Sequence, residues 1–144
     1  MNTPNLKDKV AVVTGGSGVL CSEFCRVLAK AGCKVAIVGI SEELGNSLEK
    51  EIKEQGYEAT SFIMNVMDKD SVRKCHEEIL AKYGPCDILI NGAGGNNPKA
   101  TTDEEFFTKE SLVNGSLKGF FDLDLDGFNF LINLNMIGTL LRTQ

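Results

Sequence analysis

A glycine-rich turn separates the first apolar segment of the chain from its first helical segment. Residues 9–14 form a short β-branched run, typical of a strand buried on both faces, and the Gly-Gly-Ser-Gly turn of residues 15–18 follows at once. Beyond the turn, Leu20, Phe24 and Val27 recur at the spacing of a helix face. A strand buried on both faces needs parallel neighbours and covering helices, so this pattern restricts the chain to α/β folds.

Three further strand segments alternate with helical ones. Apolar runs over residues 34–38, 59–64 and 86–90 predict strands. The segments between them carry apolar residues at helical spacing, namely Leu44, Leu48 and Ile52, then Val72, Cys75, Ile79 and Leu80. We therefore expect a Rossmann-type, doubly wound parallel sheet with helices on both faces. At 144 residues the chain is expected to form one domain over residues 1–144.

The second half of the chain departs from this alternation. Residues 95–122 are rich in glycine, asparagine, threonine and charged side chains. A loop of this length in a compact domain is usually functional, and we expect it on the substrate side. Residues 123–144 predict a helix whose first aspartates suit its N-terminus. Because this helix is apolar on nearly all sides, we expect it to have partners on more than one side.

The charge balance and the apolar pattern exclude several classes of function. With 20 acidic and 15 basic side chains, a net charge of −5 and a pI near 4.9, the chain offers no basic face to nucleic acid or to an anionic membrane. No stretch approaches the ~18 apolar residues of a membrane span, and the first residues lack the apolar core of a signal peptide. We expect a cytoplasmic protein without nucleic-acid or membrane partners.

Several residues could suggest a metal site, but their spacing argues against one. Five cysteines without a C-x-x-C pair predict reduced core residues, and Cys21 and Cys25, one helical turn apart, lack further ligands. His76 follows a pattern typical of a solvated helix face. Residues 122–127 match the first half of a calcium loop, but Asn133 stands where a glutamate is required. No metal is expected.

Two glycine-bearing turns are expected to face one crevice. The turn at residues 15–18 precedes a helix, whose N–H groups and dipole can bind a diphosphate, and residues 16–21 have the spacing G-x-G-x-x-C. The Asn-Gly-Ala-Gly turn of residues 91–94 follows the fourth strand, which lies beside the first in a doubly wound sheet. Asn91 can fix that second turn by hydrogen bonds. These turns predict a dinucleotide site, and the alternative is two tight turns without a ligand.

Four motifs, in order along the chain, resemble those of a known family. They are Thr14-Gly15-Gly16-Ser17-Gly18, Asn65-Val66, Asn91-Gly92-Ala93-Gly94 and Leu134-Asn135-Met136-Ile137-Gly138-Thr139. Their order and spacing resemble the first half of the short-chain dehydrogenase/reductases. The resemblance implies strand order 3-2-1-4 and hydride transfer to or from NAD(P). Residues 14–21 and 90–102 further resemble the branch of D-mannonate oxidoreductases and fructuronate reductases, which implies a small sugar acid, or a similar polyol or ketone, as substrate.

The resemblance implies roles for individual residues at the cofactor. The first turn would hold the diphosphate, Asn65 and Val66 would meet the adenine, and Ala93 and Gly94 would lie against the ribose and the ring. Ile40, at the end of the second strand, stands where an acid would select NAD or a base NADP. Neighbouring glutamates disfavour a phosphate, so NAD is favoured over NADP. The implied cofactor-binding residues are Gly15, Gly16, Ser17, Gly18, Val19, Leu20, Ile40, Asn65, Val66, Asn91, Gly92, Ala93 and Gly94.

The resemblance places only one catalytic residue in this chain. Asn135 matches the helix asparagine that supports a proton relay, whereas the family's serine, tyrosine and lysine fall beyond Gln144. Lys99 is a candidate partner for a substrate carboxylate, and the alternative is a solvated loop charge. A homo-oligomer is expected. The alternative function is a catalytically incomplete dinucleotide-binding or assembly fragment, and a methyltransferase would share the first turn but not the motifs at Asn91 and Asn135.

Overall fold

The alternation of strands and helices is present in the computed structural model, which describes residues 5–109 and 117–144. The elements up to the fourth strand are β1 (Val10–Thr14), α1 (Val19–Lys30), β2 (Lys34–Gly39), α2 (Glu42–Glu54), β3 (Ala59–Ile63), α3 (Lys69–Tyr83) and β4 (Ile88–Asn91). Strand ends differ from the predicted ones by one or two residues. The predicted order of elements is confirmed.

The four strands form one parallel sheet of order β3-β2-β1-β4. This confirms the predicted topology. Val13 of the central strand β1 pairs with Ile37 of β2 on one side and with Ile90 of β4 on the other. The chain leaves β1 toward β2 and returns later to β4, so the strand order reverses at the carboxyl end of β1. Ligands bind at such a reversal in open α/β sheets.

Each face of the sheet has its own apolar core. Strand β1 is buried along its whole length. One core lies between the sheet and helices α1 and α2, and it contains Val13, Ile37 and Ile52. The other core lies between the sheet and α3, and it contains Val12 and Ile79. Two filled faces explain why the strands are runs of apolar residues without alternation.

The buried face of α1 differs from the one that the apolar spacing predicted. Cys21, Cys25 and Ala29 face the sheet. Leu20 and Val27 are 75% and 64% exposed, so the prediction of that face was wrong. The reason is the close approach of the helix to the sheet, where the Cys25 thiol lies 3.6 Å from the Gly16 carbonyl oxygen. Small side chains allow this distance, and larger ones are turned outward.

The cysteines are free thiols, and four of the five are buried as predicted. Cys86 is exposed, so the prediction was wrong for that residue. Burial raises the pKa of the Cys25 thiol to about 12 and that of the Cys75 thiol to about 11. Since the thiolate is the reactive form, these two residues act as small apolar side chains.

The last helix begins at Leu125, two residues later than predicted. It consists of α4 (Leu125–Leu131), a π-helical segment (Ile132–Ile137) and α5 (Gly138–Thr143), which follow one another directly. The start is set by Asp124, whose carboxylate accepts a hydrogen bond from the Gly127 N–H at 2.9 Å. Among residues 5–109 and 117–144, no helix is long and apolar enough to cross a bilayer.

Two short 3-10 turns, Pro98–Ala100 and Phe120–Asp122, lie in the segment before the last helix. Residues 110–116 of the predicted loop lie outside the described residues. The Pro98–Ala100 turn packs on the start of α4, where a Cβ added at Gly127 would come within 2.8 Å of the Lys99 side chain. The backbone N–H of Asp124 also donates to the Lys99 carbonyl oxygen at 3.0 Å. These contacts fix residues 98–100 against the last helix.

Candidate functional site

The two predicted glycine turns touch each other. Gly15 has a φ of +66°, and a Cβ at this position would lie 2.9 Å from both the Ala93 nitrogen and the Gly92 oxygen. Both the conformation and the close approach therefore require glycine. The turn after β1 is closed by a hydrogen bond from the Gly18 N–H to the Gly15 carbonyl at 2.9 Å. The turns after β1 and β4 thus form one continuous rim.

The N-terminus of α1 opens onto this rim. Its N-cap is Gly18, which has no side chain to accept hydrogen bonds from the first turn of the helix. Val19 and Leu20 are exposed beside it. Free N–H groups at the positive end of a helix dipole bind anions, and a diphosphate is the anion that such a glycine turn accommodates. The geometry of residues 15–20 therefore fits the diphosphate of a dinucleotide.

Thr14 holds the turn that follows β4. Its buried hydroxyl oxygen accepts hydrogen bonds from the N–H groups of Gly92 and Ala93, both at 3.2 Å. Asn91 was expected to fix this turn, but its amide donates instead to the Thr143 hydroxyl at 3.2 Å. Asn91 points toward the last helix because it ends the strand, one residue before the chain turns. That role for Asn91 was wrong, and β1 supplies the fixing group.

Cys21, in the first turn of α1, is the last residue of the G-x-G-x-x-C spacing, where a small side chain is expected. A Cβ at Gly92 would overlap the Cys21 sulfur atom. A side chain larger than cysteine at position 21 would therefore push the turn after β4 away from α1. This contact explains why a small residue is needed five positions after Gly16.

Asn135 connects the last helix to the rim. Its side-chain amide donates to the Gly95 carbonyl and accepts from the Gly95 N–H, both at 3.0 Å. Its own carbonyl, within the π-helical segment, accepts from the Thr139 hydroxyl at 2.7 Å. A Cβ at Gly94 would lie 2.5 Å from the Asn135 amide oxygen. Asn135 therefore positions the rim, and a neutral amide has no proton to give to an alkoxide.

The remaining predicted residues lie along the same edge of the sheet, where the four parallel strands end. Ile40 follows β2 and is exposed. Asn65 follows β3, and its amide oxygen accepts a hydrogen bond from the Met67 N–H at 3.0 Å. Val66 is buried, and a Cβ at Gly138 would lie 3.2 Å from it. Asn65 therefore keeps one acceptor lone pair and its amide N–H groups for a ligand, and Val66 packs on the last helix.

Lys99 lies on the first 3-10 turn of the long loop. Its backbone N–H donates to the Asn97 side chain at 2.9 Å, so the turn is well fixed. Lys99 is exposed, and within the part of the chain that the structure describes no carboxylate pairs with its ammonium group. The backbone of Lys99 is therefore fixed by hydrogen bonds, while its ammonium group is free to pair with a ligand.

The aspartates that match half of a calcium loop have structural roles. Asp124 caps α4, and the carboxylate of Asp122 accepts from the Gly119 N–H at 2.9 Å. Over residues 5–109 and 117–144, no group of three or more His, Cys, Asp or Glu side chains has the arrangement of a metal site.

Comparison with known proteins identifies the family. The family model described as short chain dehydrogenase matches residues 9–144. The chain belongs to this family. Its members are oxidoreductases, and the relatives at 42% and 44% identity, over 97% of the chain, are uncharacterised oxidoreductases of Haemophilus influenzae and Bacillus subtilis. The chain spans about half the length of these curated relatives, 48% and 49%.

Solved structures agree with the fold of this short-chain dehydrogenase chain. A candidate D-mannonate oxidoreductase from Haemophilus influenzae with bound NAD shares 42% identity with it, with a TM-score of 0.91 over 97% of this chain and 49% of that one. A xylitol dehydrogenase bound to NAD+ has a TM-score of 0.80 at 22% identity over 97% of this chain and 47% of the other, which shows the common fold alone.

Two residues at the rim were missed by the sequence reasoning. Thr14 was treated as the end of the first strand, although a hydroxyl at the end of an apolar run could have indicated its role. Arg142 donates to the Ala93 carbonyl oxygen at 3.3 Å. A lone base in an otherwise apolar helix was the available signal.

Proposed function

We propose that the rim formed by residues 15–20 and 92–95 binds NAD(H) in an oxidoreductase that transfers hydride to or from a sugar acid. The observation that carries this proposal is the contact of Gly15 with the Gly92–Ala93 peptide, beside an uncapped helix N-terminus. Side chains are excluded from this contact, so a flat ring and a diphosphate can approach the backbone closely.

In this proposal the rim and the residues that follow β3 meet different parts of the cofactor. The N–H groups of residues 15–20 hold the diphosphate. The exposed amide of Asn65 hydrogen-bonds to the adenine, and the buried Val66 packs beneath the adenine site. Ala93 and Gly94 lie against the ribose and the nicotinamide. When bound, the cofactor supplies or accepts the hydride, and the residues of this chain orient it.

The end of β2 favours NAD over NADP. Ile40 offers no positive charge to a ribose phosphate, and the Ser41 hydroxyl accepts from the Leu44 N–H at the start of α2. Glu42 and Glu43 follow in the first turn of that helix. An added phosphate would meet negative charge there. The NAD bound in the Haemophilus structure supports the same preference.

The proton for the substrate alkoxide has no donor among the tyrosines of the chain. Tyr83 is buried, its hydroxyl is hydrogen-bonded to Thr60 at 2.7 Å, and burial raises its pKa. Tyr57 packs against the core beneath α1 and α2. Neither residue reaches the rim. The proposed reaction therefore needs a general acid in addition to Asn135.

The remaining parts of the proposal concern the substrate and the setting. Lys99 pairs with the carboxylate of a D-mannonate- or fructuronate-like sugar acid, because its charge is available on a fixed turn. The exposed apolar side chains of the last helix associate with a second copy of the chain. The free thiols suit the reducing cytoplasm.

Calorimetric titration with NADH and NADPH tests the cofactor site. We expect NADH to bind with a dissociation constant below a millimolar and NADPH to bind more weakly. Lys99→Ala should leave NADH binding unchanged, since Lys99 is assigned to the substrate. The absence of binding by both cofactors to the folded chain would contradict the proposal.

A further inference from the structure

Arg142 carries a half-buried guanidinium in a largely apolar setting. It lies in α5 and lines a cavity of about 290 Å3 between α3, β4 and the last helix, together with Val12, Ile79 and Leu89. The described residues that line this cavity include no carboxylate side chain. Its Nε atom is buried without a hydrogen-bond partner, and desolvation lowers its pKa. Even a partly buried cation without an acidic partner loses solvation, so packing alone does not explain its position.

The guanidinium is instead directed at two neutral oxygen atoms. Nη1 and Nη2 each lie 3.3 Å from the Ala93 carbonyl oxygen. Nη2 also donates to the Thr139 hydroxyl at 2.7 Å. A cationic donor bonds to a neutral acceptor more strongly than a neutral donor does. The charge therefore strengthens a contact with the turn after β4.

Ala93 is consequently held by hydrogen bonds from two different elements. Its N–H is held by the Thr14 hydroxyl of β1, and its carbonyl is held by Arg142 of the last helix. Gly95, two residues later, is held by the Asn135 amide. Among the described residues, Arg142 alone hydrogen-bonds to the Ala93–Gly94 peptide group, because the Thr14 bond ends at the Ala93 N–H and the Asn135 bonds are made to Gly95.

Arg142 is also linked to Asn135. The Thr139 hydroxyl, which accepts from Arg142, donates to the Asn135 carbonyl at 2.7 Å. The chain of bonds from Arg142 through Thr139 to Asn135 thus connects both anchors of the rim. Loss of the guanidinium would loosen the Ala93–Gly94 peptide and leave the diphosphate turn at residues 15–18 intact.

We propose that Arg142 is a positioning residue of the cofactor site, which orients the Ala93–Gly94 peptide for the nicotinamide half of the dinucleotide. The inference rests on the proposed function. Arg142 is expected to contribute to the binding of the nicotinamide and its ribose, and not to the binding of the adenine half.

Titration of the Arg142→Met and Arg142→Lys variants with NADH and, separately, with ADP tests this role. ADP lacks the nicotinamide half and uses residues 15–20 and Asn65 alone. We expect Arg142→Met to bind NADH about tenfold more weakly, as loss of a charge-assisted hydrogen bond predicts, and to bind ADP within about twofold of the parent chain. Arg142→Lys should show a smaller NADH-specific loss, because one ammonium cannot replace the forked donors. Arg73→Met, which removes an exposed base that pairs with Asp70 at 3.0 Å on α3, is the matched control.

The outcomes separate this role from a merely structural one. Equal losses for NADH and ADP, or no loss in either variant, would overturn the assignment. If Arg142→Met does not unfold cooperatively in urea, the Arg142→Lys and Thr139→Val variants are the test instead. Both must then weaken NADH binding without weakening ADP binding. If the parent chain binds neither NADH nor ADP, the dinucleotide site itself is rejected, and the role of Arg142 with it.

Discussion

At the scale of single residues, Gly15 has the most restricted position in the rim. Its positive φ and its contact with the Gly92–Ala93 peptide are separate constraints, and alanine would violate both. We expect Gly15→Ala to lower the free energy of unfolding by about 2–4 kcal/mol, from backbone strain plus overlap with backbone atoms. NADH binding should be lost, because the rim must open to accommodate the methyl group.

Gly56→Ala is the matched control for that substitution. Gly56 also has a positive φ, of +85°, but a Cβ there would meet nothing within 4 Å. It should therefore show the strain alone, about 1–2 kcal/mol, with NADH binding retained. Urea denaturation and NADH titration of both variants measure the difference. Equal stability and equal binding of the two variants would contradict the close contact.

Glu49 provides a pH-dependent contact between α2 and β3. Its carboxylate accepts from the Ser61 N–H at 2.6 Å and from Lys53 at 2.5 Å. Burial acts to raise its pKa, but the hydrogen bonds from Lys53 and Ser61 together prevail, so its pKa lies below the usual 4.5. Between the lowered folded value and the unfolded value, the unfolded chain binds more protons. The stability from Glu49 is therefore present above about pH 4.5 and lost as the pH falls through the folded pKa.

Acid unfolding of the Glu49→Gln variant measures this contribution. We expect the free energy of unfolding of the parent chain to decrease from pH 5 toward pH 3 more steeply than that of Glu49→Gln. Glu54→Gln, at an exposed position of the same helix, should follow the parent chain. Identical pH profiles for the parent chain and Glu49→Gln would show that this ion-paired carboxylate adds no pH-dependent stability.

At the scale of elements, the sequence was sufficient for the strands and their order. Apolar runs such as β1 and β2 can only be buried on both faces, and that requirement, with the family motifs, led to the order 3-2-1-4. The face of α1 was predicted wrongly because apolar residues cover more than one side of it. Spacing alone could not show that the helix lies close enough to the sheet to require Cys21 and Cys25 there.

The candidate site was predictable where it depends on backbone conformation. The glycine turns predicted at residues 15–18 and 91–94 lie where β1 and β4 end, and they were predictable because turn chemistry is local. Thr14 and Arg142 were missed because their hydrogen bonds join elements that are distant in sequence. Asn135, in the π-helical segment, likewise hydrogen-bonds to Gly95, a contact that no helical periodicity encodes.

The last helix is the element expected to mediate self-association. Met136 and Leu140 lie one turn apart and are 70% and 53% exposed. We expect dimers or larger assemblies at tens of micromolar, and weaker association of Met136→Glu/Leu140→Glu, in sedimentation velocity. Leu44→Glu, which changes an exposed leucine of α2, should associate like the parent chain. A monomer at these concentrations would count against the association surface.

At the scale of the whole molecule, cofactor binding and turnover are expected to separate. Neither Tyr57 nor Tyr83 lies at the rim among the described residues, and lack of a positioned general acid typically costs about 10²–10⁴-fold in rate. We expect homogeneous protein of verified mass to bind NADH but to reduce a keto sugar acid far below one turnover per second. A rate above about one per second would show that a donor exists within the chain, and Tyr57→Phe and Tyr83→Phe would then locate it.

The central claim is that NAD(H) binds on the rim formed by the turns after β1 and β4. Amide NMR spectra of the 15N-labelled chain, recorded during titration with NADH, test it residue by residue. The account predicts that the amide signals of residues 15–20 and 92–95 shift together and saturate with one dissociation constant, while those of Glu77 and Glu78 on α3 stay unchanged. Unchanged signals at the rim, or shifts confined to the cavity between α3 and the last helix, would contradict it.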